Sequence, residues 1–290
     1  MDKVDVVIPI YNNLIELRLL LDSLESEKDS IHKLILVDDS SDSQTRLFLE
    51  SFSEIRPNVI LLRNNINIGF TGSANRGLKI STKDTLLINT DVIFPKGGID
   101  LLHKELNRKR VASVTALCDA PGTYATASLI DSHIYPYLST FPYMKSLIEF
   151  KNVKDVNKYN SIWRFIALLI LNRKQYVPSC VGFCVMLKAS ALEIVGYFDE
   201  SKFDIGYGEE NDWSFRASRK GFQHILSDSV IVHHTVGGSF KSRTNELSAV
   251  HAEKLKEMYS EYPECFNQFN LSGIKFMKVL FTNTIYKLLS

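Results

Sequence analysis

The sequence predicts an α/β fold in which helices flank an open, mostly parallel central sheet. Apolar runs of strand length alternate with amphipathic helical stripes through residues 4–117, and the alternation returns after residue 182. Several of the apolar runs end in aspartate or asparagine. In such a sheet, ligands bind in the crevice outside the carboxyl ends of the strands. The sequence therefore predicts a Rossmann-like ligand site at that edge.

The elements of the first half follow in a regular order. Residues 4–8 predict a first strand closed by Pro9, and leucines within 14–24 form one apolar helical stripe. Ser41 or Asp42 is placed to cap a helix that runs towards Phe52. The remaining predictions are strands at 33–37, 59–62, 86–88 and 111–117, a polar loop at 64–72 and a short helix at 73–80.

The second half is less regular before the pattern returns. Residues 119–176 are rich in aromatic side chains and predict an insertion over the sheet edge. The elements expected after it are strands at 183–187 and 230–232 and helices at 189–195, 211–220 and 247–259. We divide the chain into a main domain, 1–240, with halves 1–117 and 118–240, and a C-terminal helical extension, 241–290.

The composition is that of an ordinary globular protein with little net charge. Lysine and arginine total 34 against 33 aspartates and glutamates, so no nucleic-acid partner is expected. The four cysteines form no CxxC pair, which favours a reducing compartment. The sequence contains neither a recognisable signal segment nor an apolar run of membrane-spanning length, so we expect a cytoplasmic protein.

The stretch LLINTDVIF, residues 86–94, is the most informative part of the chain. A buried strand ends there in Asn89, Thr90 and Asp91, which places a carboxylate at the sheet edge, and carboxylates bind hard divalent cations. Polar residues that follow the other strands are expected to converge on it, namely Tyr11, Asp38, Asp39 and Asn67. A preference for turns and caps explains each of these residues singly but explains the set poorly.

Glu209 and Glu210 lie close to the predicted start of a helix. Two interpretations stay open, because the positive end of a helix stabilises carboxylates, whereas mutual repulsion can prepare one of the pair as a general base. Asp212 and Arg216 are four residues apart and predict a surface ion pair.

His233 and His234 follow the strand predicted at 230–232. A histidine in this place can ligate a metal, contact a phosphate or have a structural role. One imidazole together with Asp91 suits Mg²⁺ or Mn²⁺, with positions open for phosphate oxygens, better than a closed zinc site.

Several segments resemble, in the right order, the inverting glycosyltransferases of family 2, which have the GT-A fold. The resemblance runs from residue 4 to about residue 240. Its segments are VVIPIYN (6–12), LVDDSSD (36–42), NINIGFTGSANRG (65–77), LLINTDV (86–92), VGFCVMLKASALEIVGYFDE (181–200), YGEENDWSFRA (207–217) and VHHTVGGSF (232–240).

The resemblance implies a role for each matching residue. Asp91 corresponds to the metal-binding aspartate of the DxD motif, with Asn89 in place of the first acid. Glu210 falls at the general-base position, and Glu209 is the alternative. His233 is the first candidate to complete the metal site, and His234 is adjacent. The implied contacts to the nucleotide sugar are Pro9, Tyr11, Asp39, Asn67, Gly69 and Asn89.

The implied activity is sugar transfer with inversion from a UDP- or dTDP-sugar to a hydroxyl of a glycan or lipid-linked glycan. Mn²⁺ or Mg²⁺ would assist, and the pathway would be surface polysaccharide biosynthesis. A nucleotidyltransferase is one alternative, but IPIYNN at 8–13 is not the glycine-rich, arginine-containing loop it requires. A catalytically inactive partner subunit is another, against which the presence of Asp39, Asp91, Glu210 and His233 argues.

The segment 274–289 mixes large apolar residues with three lysines. Two interpretations stay open for it. An amphipathic helix would make peripheral contact with the inner face of the cell membrane and bring the enzyme to a lipid-linked acceptor. Alternatively, the helix would pack on the catalytic domain or on a second copy of the chain in a homodimer.

Overall fold

The computed structural model describes residues 2–118, 156–158, 160–161, 175–203, 206–235 and 244–265. The predicted insertion at 119–176 lies largely outside these residues, and the segment 274–289 lies outside them entirely. None of the helices in the described part of the chain has both the length and the apolar character that a membrane-spanning helix needs.

Nine strands within the described residues form one central sheet. The strands are β1 (Val4–Ile10), β2 (Ile31–Asp38), β3 (Val59–Arg63), β4 (Thr85–Ile88), β5 (Val92–Ile93), β6 (Val111–Cys118), β7 (Gln175–Val177), β8 (Cys184–Leu187) and β9 (Gln223–His234). Their order across the sheet is β3-β2-β1-β4-β8-β6-β9-β5, and β7 pairs with β9. The predicted α/β class and its central sheet are confirmed.

Strand direction differs between the two halves of the sheet. In the first half, β2 pairs in parallel with β1 and β3, and β1 pairs in parallel with β4. In the second half, β8 runs antiparallel to both β4 and β6, whereas β6 and β9 are parallel. The sequence predicts a mostly parallel sheet; the first half is parallel as expected, whereas the second half is mixed and contains more antiparallel pairs than predicted.

Helices cover both faces of the sheet. They are α1 (Leu14–Glu25), α2 (Ser43–Glu54), α3 (Gly69–Ile80), α4 (Gly98–Leu106), α5 (Ala189–Val195), α6 (Glu209–Arg219) and α7 (Thr244–Met258). One apolar cluster joins the sheet to α1, α2 and α4, and a second joins it to α3, α5 and α6. Along β1, Val6 and Ile8 belong to the first cluster and Val7 to the second, as strand alternation requires.

The strand β1 continues through Pro9 to Ile10, so the prediction that Pro9 closes it was wrong. Pairing of β1 with β4 ends at Val7, and Pro9 pairs with β2 alone. A residue without a backbone N–H is tolerated where one side of the strand has no partner.

The predicted cap of α2 is confirmed, because the Asp42 carboxylate accepts a hydrogen bond from the Thr45 N–H at 2.8 Å.

The helices α3 and α6 begin earlier than the predicted starts at residues 73 and 211. The residues before them, Ile68 and Gly208, make no side-chain capping hydrogen bond. The usual sequence signal for a helix start is therefore missing at both places.

The strand β9 is much longer than the predicted strand at 230–232. Its pairing with β6 shifts register between Thr115–Leu226 and Leu117–Ile231, which marks a β-bulge. Ser227 is buried there, and its hydroxyl donates to Glu105 Oε1 at 3.2 Å. A buried polar residue with a partner on α4 interrupts the apolar pattern, which is why the first part of the strand was missed.

Close packing of α3 on the sheet predicts the effect of a methyl group at Gly77. A β-carbon there would collide with Val7 Cγ1 and lie 3.2 Å from Val37 Cγ2. We expect Gly77→Ala to lower the free energy of unfolding by about 1–3 kcal/mol in urea denaturation, because the packed core cannot yield without strain. Gly72→Ala on the same helix is the control, since its β-carbon would meet only the flexible Ile68 side chain. Equal losses in both variants would contradict this packing argument.

Candidate active site

The predicted site residues of the first half lie at the carboxyl ends of neighbouring strands. Pro9 lies in β1 and Tyr11 follows it, Asp39 follows β2, and Asn89 follows β4. The strand ends are linked directly, because the Asp39 N–H donates to the Ile10 carbonyl at 2.7 Å. The structure therefore brings these residues to one edge of the sheet, as the sequence predicts.

Asp39 organises the loop before α3. Its buried carboxylate accepts hydrogen bonds from Asn64 Nδ2 at 2.7 Å, from the Ile68 N–H at 2.8 Å and from the Gly69 N–H at 2.9 Å. The Asn67 side chain also accepts from the Gly69 N–H, at 3.0 Å. Gly69 has a φ of +81°, which favours glycine. These contacts hold Asp39, Asn67 and Gly69 together in a preformed loop.

Phe70, in the first turn of α3, connects this loop to the second half of the chain. A β-carbon at Gly182 would lie 3.4 Å from the Phe70 ring, and one at Gly206 would lie 3.5 Å from Phe70 Cβ. These distances are ordinary van der Waals contacts, so the backbone at both positions lies beside Phe70. The turn at Gly206, which leads into α6, therefore lies against the loop that Asp39 holds.

Asp91 lies beside His234. The short strand β5 pairs with β9 so that Val92 is opposite His234, and the Thr235 N–H donates to the Asp91 carbonyl at 2.9 Å. His234 Nε2 is 3.3 Å from Asp91 Oδ1. This contact places the His234 imidazole beside the Asp91 carboxylate, whereas the sequence had favoured His233.

The ring of Phe183 supports His234. The two rings stack with centroids 5.1 Å apart and planes 15° apart. The Phe183 carbonyl also accepts the Asn89 N–H at 2.9 Å. Phe183 thus fixes both the imidazole and the strand end that carries Asn89 and Asp91. This role is not predictable from the sequence, because an apolar residue in a predicted buried strand indicates only core packing.

Glu209 and Glu210 begin α6 in different environments. Glu209 is buried, and its Oε2 has no hydrogen-bond partner within the described part of the chain. Burial raises the pKa of Glu209 well above its usual range, and the neighbouring Glu210 carboxylate adds to the rise. Glu210 is half-buried and accepts the Gly208 N–H at 3.2 Å.

Burial also raises the pKa of Glu210, while its own backbone N–H and that of Gly208 oppose the rise. N–H groups at a helix start stabilise a charged carboxylate. We therefore infer that Glu209 holds the proton. Glu210 is the carboxylate that can ionise and that a substrate can reach.

Asp212 and Arg216 form an ion pair, but the prediction that it lies on the surface was wrong. Asp212 is fully buried, and its Oδ2 is 2.7 Å from Arg216 Nε. The guanidinium also donates to the carbonyls of Val195 and Tyr197, at 3.0 and 2.8 Å. The Tyr259 hydroxyl donates to Asp212 Oδ1 at 2.6 Å. The pair is buried because residues distant in sequence cover it.

The family of this chain follows from its sequence. The family model described as Glycosyl transferase family 2 matches residues 5–196, which is more than half of the chain. The chain belongs to glycosyl transferase family 2. The match ends before α6, so Glu209, Glu210 and the two histidines of β9 lie beyond it.

One curated relative of this family 2 protein is Glycosyltransferase GlyA of Streptococcus pneumoniae serotype 4 (strain ATCC BAA-334 / TIGR4). It is 20% identical over 262 residues, which are 87% of this chain and 32% of the relative. The chain thus spans about a third of the length of that relative.

Two solved structures share the fold of this family 2 chain. Mannosyltransferase PcManGT from Pyrobaculum calidifontis, in complex with GDP-Man and Mn²⁺, is 14% identical with a TM-score of 0.59, covering 98% of this chain and 75% of that one. GalNAc-T7 with UDP, GalNAc and Mn²⁺ is 13% identical with a TM-score of 0.58, covering 80% and 43% respectively. The predicted GT-A fold is confirmed.

The side chains around Asp91 fit a divalent cation of the kind the family 2 resemblance implies. Asp91 Oδ1 and His234 Nε2 are 3.3 Å apart, and adjacent ligands of an octahedral ion with bonds of about 2.1 Å lie about 3 Å apart. Asn89 Oδ1 is buried without a hydrogen-bond partner among the described residues. Within that same part of the chain, no three His, Cys, Asp or Glu side chains could hold a metal ion together.

The contrast between the two histidines of β9 predicts different metal affinities. We expect His234→Ala to weaken Mn²⁺ binding in the presence of UDP by at least about 10-fold in calorimetry, because it removes an imidazole beside Asp91. His233→Ala removes the same group from the adjacent residue and is expected to leave the Mn²⁺ affinity unchanged. Wild-type Mn²⁺ affinity in His234→Ala would contradict the assignment.

Proposed function

We propose that this family 2 protein is an inverting, metal-dependent glycosyltransferase. It would move a sugar from a UDP- or dTDP-sugar to a hydroxyl of a glycan or lipid-linked glycan in surface polysaccharide biosynthesis. The observation that carries the proposal is Glu210, a half-buried carboxylate at the start of α6, whose preceding turn lies against the loop held by Asp39. A general base works best when its pKa is near the working pH, and burial raises the pKa of Glu210 in that direction.

The reaction is a direct displacement at the anomeric carbon. Glu210 accepts the proton of the acceptor hydroxyl while the hydroxyl oxygen forms a bond to that carbon. The bond between the anomeric carbon and the donor diphosphate breaks, and its electron pair leaves with the diphosphate. Attack occurs on the face opposite the leaving group, so the configuration inverts.

The donor would be held by the strand ends of the first half. Pro9, Tyr11, Asp39, Asn67 and Gly69 are proposed to contact the nucleotide. These contacts orient the donor so that its anomeric carbon faces Glu210.

Asp91 and His234, with Asn89 nearby, would hold Mn²⁺ or Mg²⁺. When bound, the cation supplies positive charge that stabilises the departing diphosphate. Two proteins of the same fold contain Mn²⁺, one with GDP-Man and the other with UDP and GalNAc, which supports a metal and a nucleotide sugar here.

The proposal is tested by donor turnover with purified protein, Mn²⁺ and a panel of nucleotide sugars. We expect slow release of nucleoside diphosphate without acceptor, and a β-configured product from an α-linked donor by proton NMR. Retention of the donor configuration would overturn the inverting mechanism. Consumption of a nucleoside triphosphate with pyrophosphate release would indicate a nucleotidyltransferase, and donor binding without any turnover would indicate a non-catalytic subunit.

The difference between Glu209 and Glu210 predicts opposite results for two matched substitutions. We expect Glu210→Gln to lower kcat by about 10²–10⁴ because it removes the base. Glu209→Gln replaces a protonated, neutral side chain with another neutral one and is expected to keep kcat within about 5-fold of wild type. Steady-state kinetics with a donor accepted by the wild type measures both, and the reverse pattern would assign the base to Glu209.

Glu209 and Glu210 also predict how activity and stability change with pH. In the wild type, kcat/KM should rise with pH through the raised pKa of Glu210, because only the ionised carboxylate accepts a proton. The folded state keeps a proton on Glu209 that the unfolded chain loses above its ordinary pKa, so this residue stabilises the fold less as pH rises. Urea denaturation should therefore show Glu209→Gln gaining stability relative to wild type from pH 5 to pH 8.

A further inference from the structure

The turn that leads into α6 has an unusual backbone. Gly206, Tyr207 and Gly208 all have positive φ angles, of 122°, 67° and 121°. Positive φ is readily adopted by glycine, but a tyrosine in this conformation is strained and persists only where its surroundings hold it. The Gly208 N–H donates to Glu210 Oε2 at 3.2 Å, so the shape of this turn fixes the direction of the Glu210 carboxylate.

A histidine from α7 holds the turn. His251 Nδ1 is 2.6 Å from the Tyr207 carbonyl oxygen and 3.0 Å from that of Gly206. Both oxygens are acceptors, so Nδ1 must carry the hydrogen and share it between them. His251 is buried, and its ring packs edge-on against Phe203 with centroids 5.2 Å apart. The imidazole thus joins two consecutive carbonyls of the strained turn to a fixed helix.

The helix α7 is fixed on α6, and on the segment between α5 and α6, by separate contacts. The Tyr259 hydroxyl just after α7 donates to Asp212 Oδ1 at 2.6 Å, and the Tyr259 ring packs on Phe215 at 4.9 Å. Lys254 Nζ donates to the Lys202 carbonyl at 2.8 Å. Loss of the His251 hydrogen bonds would therefore release the turn while these contacts keep α7 in place.

We propose that His251 is a positioning residue, whose shared Nδ1 hydrogen bond to the 206–208 turn aims the Glu210 carboxylate at the acceptor hydroxyl. The inference rests on the proposed role of Glu210 as general base. The helix α7 lies beyond the segment matched by the family model, so membership of the family does not predict it. The nucleotide-binding loop is held by Asp39 and does not involve His251.

The test compares His251→Leu with His251→Asn in the full chain. Leucine fills the space without a donor, whereas the asparagine amide can place an N–H near the position of Nδ1. We expect His251→Leu to lower kcat by about 10–100-fold, because a small misplacement of a catalytic group costs about that much. UDP affinity by calorimetry should stay at the wild-type value, and His251→Asn should recover kcat to within about 5-fold of wild type.

Lys254→Met is the matched control, since it removes another hydrogen bond from α7 to a carbonyl outside the turn. It is expected to keep wild-type kcat. If His251→Leu does not fold, His251→Gln replaces it, because its amide lies one methylene further out and misses the two carbonyls. Either His251→Leu or its replacement His251→Gln lacks an N–H that reaches the two carbonyls. Wild-type kcat in whichever of them folds would overturn the role of His251 and leave the proposed function intact.

Hydrogen exchange makes the test independent of turnover. We expect the amides of residues 206–210 to exchange faster in His251→Leu than in wild type or His251→Asn, with the amides of 68–70 unchanged. Equal exchange in the variant and the wild type would also overturn the proposal. An inactive wild type whose 206–210 amides respond as expected would instead locate the failure in the proposed function.

Discussion

Helices cover both faces of the central sheet, and the position of the site depends on that burial. A buried polar group must find a partner, so polar side chains leave the core where strands end. The strands β1, β2 and β4 end side by side, and each is followed by a polar residue of the site. The same burial that excludes Asp39 and Asp91 from the strands therefore gathers them at one edge, where Asp39 organises the neighbouring loop.

Adjacent glutamates on α6 acquire different chemistry from small differences in position. Two carboxylates side by side in a poorly solvated place do not ionise together easily. Glu209 is the more deeply buried and lacks a partner for one oxygen in the described structure, so the proton rests there at lowest cost. Glu210 receives the Gly208 N–H and is partly exposed, which favours its charged form and lets a substrate reach it.

Local sequence patterns predicted the features that local physics decides. The strands of the first half, the Asp42 cap of α2 and the carboxylate after β4 all follow from apolar periodicity and capping chemistry. The early start of α3 did not, because the carboxylate that binds its first N–H groups comes from Asp39, 30 residues before Gly69. Similarly, the 3.3 Å contact between His234 Nε2 and Asp91 Oδ1 distinguishes one histidine of two, and nothing in the sequence HH indicates which of them makes it.

The two sides of the site differ in how far along the chain their contacts reach. On the donor side, Asp39 binds residues 25 to 30 positions away, all within the segment that the family model matches. On the base side, His251 binds Tyr207 across 44 positions and Tyr259 binds Asp212 across 47, and all four residues lie beyond that segment. The family match therefore includes the loop that Asp39 holds, which is the proposed donor loop. The direction of the Glu210 carboxylate, the proposed base, depends instead on how α7 packs against the turn before α6.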